Sequence, residues 1–596
     1  MEPLGSWADA APRLVAVASG RAPADLVVRG ARVVSVHTRE VLPWEVAVAA
    51  GRFAYVGPDA SHCVGEGTEV VGAGGRFLVP GLIDGHMHVE SGMLTPAGFA
   101  AAVLPHGTTA MLCDPHEIAN VLGLGGVRLM RDEAALQPCL MLMQMPSCAP
   151  SAPGLETTGH EIGVAEVEEA MGWPGIVGLG EMMNFPGVIA GDGRMLGEMA
   201  AAMRAGRTVG GHYASPDLGI PFHAYAAGGA ADDHEGTREE DAVARARQGM
   251  RAMLRLGSAW HDVAAQVTAV TERGLDPRSF VLCTDDCHPG TLVHEGHMDR
   301  VVRHAVASGL DPLVALQMAT LNTATHFGLE REVGSIAPGR RADMILSSSL
   351  GDLRAEAVWA RGIKVAEGGT LLAECPRLPW PEAARRSVRL ARPLVAADFA
   401  APGPAVARVR ARVIGVVENQ APTRALSADL PVRGGVVEAE GDVAHIAVVE
   451  RHRGTGAVRN AFVSGFGYRG RVAVASTVAH DCHQMLVVGT DRESMARAAN
   501  RVARMDGGVA VFIEGEEAAA VALPIAGLMS EGDPAEVARD AQGVVAAMER
   551  AGCRLNNAVM QHSLLALAVI PELRLTDKGL VDVRAWALVP LLEGNE

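Results

Sequence analysis

Two histidines, His86 and His88, are separated by one residue and follow an apolar stretch that begins at Phe77. Alternate side chains of a β-strand share one face, so these imidazoles can point the same way and bind one cation together. The apolar stretch is typical of a buried strand, and Pro80 and Gly85 indicate that it opens into a loop. The motif predicts a strand that brings ligands to the rim of a sheet. Taken alone, two histidines that only form hydrogen bonds within the protein would explain the motif equally well.

Later apolar runs also end in polar residues, and helical patterns separate these runs. The run-ending residues are Asp114, Ser147, Glu181, His212, His234 and Asp285. This alternation is typical of βα units and predicts an α/β fold built on a (β/α)8 TIM-like barrel. At about 31 residues per unit, the candidate ligands fall on strands one, four, five, six and eight, with strand seven expected near residues 256–260. Active sites of such barrels lie at the carboxyl ends of the strands.

The length of 596 residues exceeds the size at which one hydrophobic core stops growing, so we expect several domains. Short β segments occupy residues 1–79 and return at residues 331–375, and we expect these two parts to close one small flanking β-sandwich. The barrel is assigned to residues 80–330. A proline-rich stretch, residues 376–404, is expected to be a linker, and residues 405–596 are expected to form a C-terminal α/β domain.

Charge and cysteine usage limit the partners and the compartment. The net charge of −17 argues against nucleic acid or an anionic membrane as the main partner. No apolar run approaches the ~18 residues of a membrane span, and residues 1–10 lack the pattern of a signal peptide. The nine cysteines are scattered without a CxxC pair, which predicts reduced thiols in a cytoplasmic protein. Cys283 and Cys287 are expected to pack rather than to bind zinc.

Six residues combine metal-ligand chemistry with the spacing of a barrel: His86, His88, Glu181, His212, His234 and Asp285. We expect them to hold two divalent cations, because neutral imidazole and carboxylate groups suit Zn²⁺, Mn²⁺ or Fe²⁺. Two such ions a few Å apart can bridge and deprotonate one water molecule. Each single histidine alone would more often be structural, but its position behind the paired histidines favours a ligand.

Seven segments of the sequence resemble the adenine deaminase family of the amidohydrolase superfamily, and they are spread over nearly the whole chain. They are residues 84–91, 113–120, 178–184, 284–286, 449–456, 479–483 and 523–530. The last three separate this family from other amidohydrolases, while Gly92 and Cys482 depart from the family pattern at neighbouring positions.

The resemblance implies a reaction, a cofactor and a substrate. The reaction is hydrolytic deamination of adenine to hypoxanthine and ammonia, with a metal-bridged hydroxide attacking C6 of the purine. Two divalent ions per chain are implied, Mn²⁺ before Fe²⁺ or Zn²⁺. We also expect the chain to form a homodimer.

Many binuclear members of the superfamily bridge their metals with a carbamylated lysine. This chain has only two lysines, Lys364 and Lys578, and both lie outside the predicted barrel. Glu181 stands where that lysine would arrive, so we expect it to be a bridging ligand, a proton shuttle to a ring nitrogen, or both. An unpaired buried carboxylate would be costly, which argues against a purely structural role. Asp285 is expected to accept a proton from the hydroxide and deliver it to the leaving amino group.

Asp114, His116 and Glu117 lie together at the predicted rim and are assigned to substrate binding. Asp114 followed by Pro115 is also typical of a helix start, with the aspartate as N-cap. His116 and Glu117 could instead contact an accessory ion, and the sequence leaves both interpretations open.

His480, Asp481 and His483 form a polar cluster after an apolar run in the last third of the chain. A surface loop is the favoured interpretation of such a cluster. The alternative is that these residues reach the barrel mouth and take part in the site.

Competing functions come from different classes. The alternatives are a cyclic amide hydrolase of the hydantoinase or dihydroorotase type, another amino-purine or amino-pyrimidine deaminase, and a non-enzymatic scaffold. The missing barrel lysine and the last third of the chain argue against the cyclic amide hydrolase. The complete set of candidate ligands argues against the scaffold.

Overall fold

A computed structural model describes residues 7–594. Two sheets close a small sandwich beside the main domain. The first contains, in spatial order, Arg52–Gly57, Glu45–Ala49, Leu26–Arg29 and Glu69–Gly72; the second contains Thr370–Leu371, Ile363–Glu367, Ala357–Ala360, Met344–Ser347, Phe77–Pro80, Arg32–Ser35 and Glu40–Leu42. Buried side chains of both sheets, including Phe53 and Trp359, form one core. The strand Phe77–Pro80 runs directly into the next domain, so the sandwich fixes where that domain begins.

Within residues 7–594, eight parallel strands follow in chain order and form a barrel. They are β1 (Leu82–Met87), β2 (Thr108–Cys113), β3 (Leu140–Met145), β4 (Ile176–Met182), β5 (Thr208–Gly211), β6 (Asp232–Asp233), β7 (Arg251–Arg255) and β8 (Phe280–Cys283). Backbone hydrogen bonds from Ala231 to Val209 (2.8 Å) and from Asp285 to His86 (3.0 Å) join the five-stranded and three-stranded parts into a closed cylinder. Buried apolar side chains of β1, β2 and β8 fill its interior.

The position of strand seven differs from the sequence prediction. The sequence predicts it near residues 256–260, but β7 ends at Arg255. The reason is Gly257, where an added Cβ would lie 2.5 Å from the backbone oxygen of Asp286. The chain turns there against the loop that follows β8, and Ser258 donates its N–H to the same oxygen at 2.8 Å. This close approach requires glycine and prevents a strand.

Helices alternate with the strands and surround the barrel. They are Pro96–Val103, His116–Ala134, Val164–Ala170, Phe185–Ala190, Gly193–Arg204, Ile220–Ala227, Glu239–Arg247, Val263–Gln266, Thr268–Thr271, Pro289–His294, Met298–Ala307, Pro312–Met318 and Leu321–His326. Asp192 and Asp311 cap two of them by accepting backbone N–H groups of the first turn. A further helix, Trp7–Ala18, packs on the sandwich.

The C-terminal region is built on a ten-stranded sheet. Its strands are, in spatial order, Ala401–Pro402, Val436–Val437, Arg424–Arg433, Arg408–Gly415, Val458–Ser464, Ala444–Val449, Met485–Gly489, Val472–Ser476, Gly508–Ile513 and Glu516–Ala522. The helices Arg492–Arg504, Pro534–Arg550 and Ala558–Ser563 and a small sheet of Leu573–Thr576, Gly579–Asp582 and Ala587–Leu588 complete it.

The stretch 376–404, expected to be a linker, packs against this C-terminal sheet. Leu394 and Phe399 are buried with Met485 and Met495 in one apolar cluster. Leu394 also donates its N–H to the amide oxygen of Asn500 at 2.9 Å. The short helix Glu382–Arg385 lies within the same stretch.

The C-terminal region docks on the carboxyl-end face of the barrel. Ser530 donates to the backbone oxygen of Met93 (2.9 Å) and accepts from Thr95 (3.2 Å). The side chain of Gln484 donates to the oxygen of Thr157 at 2.9 Å. These contacts place residues of the last third over the strand ends. None of the helices in residues 7–594 has the length and apolar character needed to span a membrane.

Candidate active site

The two histidines of β1 lie at its carboxyl end and are buried. Their rings meet edge to face, with centroids 4.8 Å apart, and the ring of His86 also stacks on that of His234 at 4.0 Å. Gly85, directly before His86, allows β1 to approach β8, because an added Cβ would lie 2.6 Å from the side chain of Val281. The strand therefore delivers both imidazoles to the centre of the barrel mouth.

Glu181, at the end of β4, lies at the centre of the site. Its Oε1 is 3.3 Å from Nδ1 of His116 and 3.6 Å from Nε2 of His88. Its Oε2 is 3.1 Å from Nε2 of His234 and contacts Nδ1 of His212. Burial alone would raise the pKa of Glu181, but His212 and His234 hold it well below the usual range. The carboxylate is therefore an anion with a histidine on every side.

Asp285 follows β8 with a φ of 61°, a left-handed conformation that is strained for a residue with a side chain. Its Oδ1 lies 3.2 Å from Nε2 of His88 and 4.0 Å from Nε2 of His86. Its Oδ2 accepts a hydrogen bond from Nη1 of Arg255 at 2.9 Å. Burial would raise the pKa of Asp285, but His88, His234 and Arg255 lower it far below the usual value. The strained turn thus points one oxygen at the histidines and leaves the other paired with a cation.

The donor set of this cluster fits divalent metal ions. Three triplets have ligand atoms within 4.8 Å of one another: His86, His88 and Glu181; His86, His234 and Asp285; Glu181, His212 and His234. The Nε2 atoms of His86 and His212 are buried and have no hydrogen-bond partner among the described residues. Buried imidazole nitrogens without hydrogen-bond partners, together with carboxylate oxygens, suit transition-metal ions. Because Glu181 belongs to two of the triplets, the cluster could hold two ions, one on each side of Glu181.

The predicted N-cap role of Asp114 is wrong. Pro115 occupies the N-cap position of the helix His116–Ala134, and no side chain caps that helix. The Asp114 carboxylate instead turns back and accepts the N–H of Glu181 at 2.8 Å. Gly180 makes room for it, since a Cβ there would lie 2.2 Å from Oδ2. Asp114 is fully buried behind Glu181 and is not among the residues that line the cavity.

Comparisons with known proteins assign the chain to a family. The amidohydrolase family matches residues 77–363, and the adenine deaminase C-terminal domain matches residues 420–587. An adenine deaminase of Paracoccus denitrificans (strain Pd 1222) is 69% identical over 592 residues, covering 99% of each chain. The chain belongs to the adenine deaminase family. An adenine deaminase of Ruegeria sp. (strain TM1040) is 67% identical over 590 residues, covering 99% of this chain and 98% of that protein.

Membership of the adenine deaminase family confirms the predicted family, the amidohydrolase fold and the hydrolase class, and it implies a divalent metal ion. A β-aspartyl dipeptidase structure from Fervidobacterium islandicum AW-1 aligns with a TM-score of 0.45 at 15% identity, covering 60% of this chain and 98% of that one.

The adenine deaminase C-terminal domain contributes side chains to the barrel mouth. Asp481 Oδ1 lies 3.6 Å from Nε2 of His116 and 3.4 Å from Nδ1 of His480. His480 Nδ1 is 3.7 Å from Oε1 of Glu117. The sequence favoured a surface loop here, whereas the structure buries this segment against the barrel. His483 is buried as well, but its Nδ1 accepts the N–H of Ala479 and it does not line the cavity.

Glu117 points into the cavity from the first turn of its helix. Its Oε1 accepts a hydrogen bond from the hydroxyl of Ser91 at 3.3 Å, and its Oε2 is buried without a partner among the described residues. His116, its neighbour, contacts Glu181 on one side and Asp481 on the other. Both residues predicted at the rim are therefore available to a bound molecule.

The cavity at this site has a volume of about 60 Å³, and sequence reasoning missed several residues that line it. They are Met183, Glu235, Arg255, Trp260, Ala421, Leu564, Leu567 and Ile570. Arg255 could have been found as the charged residue that ends the apolar run of β7, had that strand been placed correctly. The apolar residues beyond position 420 carry no sequence signal of a site, because they resemble ordinary core residues.

Proposed function

We propose that this chain hydrolyses adenine to hypoxanthine and ammonia. One observation carries the proposal: two carboxylates, Glu181 and Asp285, meet five histidines at the carboxyl ends of the barrel strands, beside a cavity that the C-terminal domain closes. The two relatives, both adenine deaminases, support the same substrate. The chain aligns with them over almost its full length, so both regions that build the cavity are shared.

We propose that two divalent ions bind at this cluster, with Mn²⁺ expected and Fe²⁺ or Zn²⁺ as alternatives. The ligands would be His86, His88, Glu181, His212, His234 and Asp285. Such ions would supply a water molecule of lowered pKa and Lewis-acid polarisation of the bond under attack. We propose that Glu181 would serve both ions, because each of its oxygens faces a different pair of histidines.

The two carboxylates can move the protons that the reaction requires. Water adds its oxygen to C6, and we propose that Asp285 takes the proton released by that water and delivers it to the exocyclic nitrogen. The C6–N bond then breaks and ammonia leaves. His88, His234 and Arg255 keep Asp285 ionised for the first of these transfers; Arg255 pairs with Oδ2, while Oδ1 faces the histidines. The second part of this proposal is that Glu181 also carries a proton to a ring nitrogen of the purine.

For the predicted substrate-binding residues, the geometry supports different tasks. His116 and Glu117 line the cavity, and we propose that they contact the purine ring. Asp114 holds the backbone of Glu181 from behind, so we propose that it positions that carboxylate rather than the substrate.

A substrate panel tests the reaction. Metal-loaded enzyme is given adenine, adenosine, cytosine and a hydantoin, and ammonia release and ring opening are followed separately. Adenine should have the highest kcat/KM. A higher value for adenosine or cytosine would overturn the substrate, and ring opening of hydantoin without any deamination would overturn the reaction class.

The compartment and the assembly are also proposals. All nine cysteines are free thiols and eight of them are buried, which supports a reducing compartment such as the cytoplasm. The homodimer expected from the sequence stays a prediction, and measurement of the molar mass in solution tests it.

A further inference from the structure

One side of the active-site cavity is apolar, and we call it the apolar wall. It consists of Met183 and Trp260 from the barrel and Ala421, Leu564, Leu567 and Ile570 from the C-terminal domain. All six belong to, or pack against, a single hydrophobic cluster. The rest of the lining is polar and includes Glu181, Asp285 and the histidines. The cavity is therefore chemically two-sided.

A buried arginine holds the apolar wall in place. Arg574 is 1% exposed, and its guanidinium donates to the backbone oxygens of Leu564 (2.7 Å), Ile570 (2.8 Å), Ala421 (2.6 Å) and Pro571 (3.2 Å). Three of these four carbonyl groups belong to wall residues, although position 421 is far from positions 564–570 in sequence. The fixed fork of a guanidinium can bind several carbonyl oxygens in one geometry.

The chemistry of Arg574 is unusual for a core residue. Among residues 7–594, the hydrogen-bond partners of its guanidinium are backbone oxygens, and no carboxylate charge acts on its pKa. Burial lowers the pKa of Arg574 to about 9, so it remains charged at neutral pH. A buried cation needs full hydrogen bonding to be tolerated, and the wall carbonyls provide it. The wall and the arginine thus form one unit whose parts depend on each other.

We propose that the apolar wall, positioned by Arg574, makes the enzyme select free adenine over purines that carry a sugar on N9. This inference rests on the proposed function. For C6 to reach Glu181 and Asp285, the amino end of the purine must enter the polar side. The N3 and N9 edge then lies toward the wall. Any substituent on N9 would collide there with the wall of a cavity of about 60 Å³, and the hydroxyl groups of a ribose would in addition find no partners among hydrocarbon side chains.

Shortening the wall tests the selectivity directly. In Leu567→Ala and Ile570→Ala, the kcat/KM for 9-methyladenine relative to that for adenine should rise by about 10-fold or more, the effect of one or more methylene groups in an apolar pocket. Leu580→Ala is the matched control, because Leu580 is a buried leucine of the same domain that does not line the cavity. Its ratio should equal that of the wild type. If Leu567→Ala does not fold, Ile570→Val takes its place and should change the ratio in the same direction by less.

The positioning role of Arg574 has its own readout. Arg574→Met should raise KM for adenine and raise the 9-methyladenine to adenine ratio, with a smaller change in kcat, because the guanidinium does not touch the reacting atoms. Arg574→Lys should restore part of the selectivity. A lower melting temperature with an unchanged ratio in the folded protein would show a purely structural role and overturn this part.

The experiments distinguish a failure of the proposed function from a failure of the role proposed for the apolar wall. Wild-type enzyme that releases no ammonia from adenine would overturn the proposed function itself. Wild-type enzyme that deaminates adenine, with wall variants whose ratio does not change, would overturn only the role of the apolar wall.

Discussion

Glu181 contacts His88, His116, His212 and His234, and no other described side chain of the site has as many histidine partners. We predict that Glu181→Gln lowers kcat by about 10²–10⁴-fold, because the amide can neither bridge two cations as an anion nor carry a proton. The steady-state rate and the bound metal per chain are measured on the same sample.

Glu156→Gln is the matched control for that variant. Glu156 is also a buried glutamate, but it accepts hydrogen bonds from Ser151 and Ala152 and does not line the cavity. Burial raises its pKa to about 7, so the neutral amide resembles a form that the protein already populates. Near-normal turnover of Glu181→Gln with full metal content would contradict the assignment.

At the scale of single elements, the strands that carry the candidate ligands were the easiest to predict. β8 is a continuous apolar run, β4 is apolar residues and glycine up to Glu181, and β1 begins with Leu82 and Ile83 just after the apolar strand Phe77–Pro80, so the sequence locates their ends. The sequence does not locate β7, because its apolar centre is three residues long and an arginine stands at each end.

The N-cap of the helix after β2 also differs from the sequence prediction. There, a tertiary hydrogen bond from Glu181 to Asp114 outweighs the local preference of aspartate for a cap.

The helix His116–Ala134 supplies a prediction on pH. Near its end, Glu133 is buried and accepts the N–H of Leu378 at 3.3 Å. Burial raises the pKa of Glu133 to about 7, with smaller opposing contributions from Leu378 and Trp380. A raised folded-state pKa means that this group stabilises the fold below pH 4.5 and that this stability is lost as the pH rises through about 7.

We therefore predict that Glu133→Gln gains stability relative to the wild type as the pH rises. The difference in Tm between variant and wild type should be small at pH 5 and positive at pH 8. Thermal unfolding followed by circular dichroism at several pH values checks this. Glu382→Gln, at an exposed glutamate, serves as control and should show no pH-dependent difference. A Tm difference that is flat from pH 5 to pH 8 would show that Glu133 is ionised throughout.

At the scale of the whole molecule, the active site belongs to both the barrel and the C-terminal region. Sequence spacing could locate the barrel ligands, because they repeat with the βα unit. It could not show that residues near position 480 or 567 reach the same cavity, since that depends on how two distant segments dock. The sequence therefore favours a surface loop for the polar cluster after residue 479, and it does not distinguish the apolar wall from ordinary core residues.

We predict that His480→Ala lowers kcat/KM for adenine by about 10–100-fold, the effect of losing contacts to charged groups. His480 lies near both Glu117 and Asp481, so its removal leaves two buried carboxylates without that partner. Steady-state kinetics checks this beside His445→Ala, a buried histidine of the same sheet region that does not line the cavity. Equal activity of both variants and the wild type would show that His480 has only a structural role.

The central claim is that the histidine and carboxylate cluster at the barrel mouth deaminates adenine with two divalent ions. The most direct measurement is a titration of metal-free protein with Mn²⁺, in which hypoxanthine and ammonia formed from adenine are followed against bound metal per chain. The rate should be negligible without metal, rise with binding and become constant at two ions per chain. Full activity of metal-free protein, or a rate that is already constant at one ion per chain, would contradict the account.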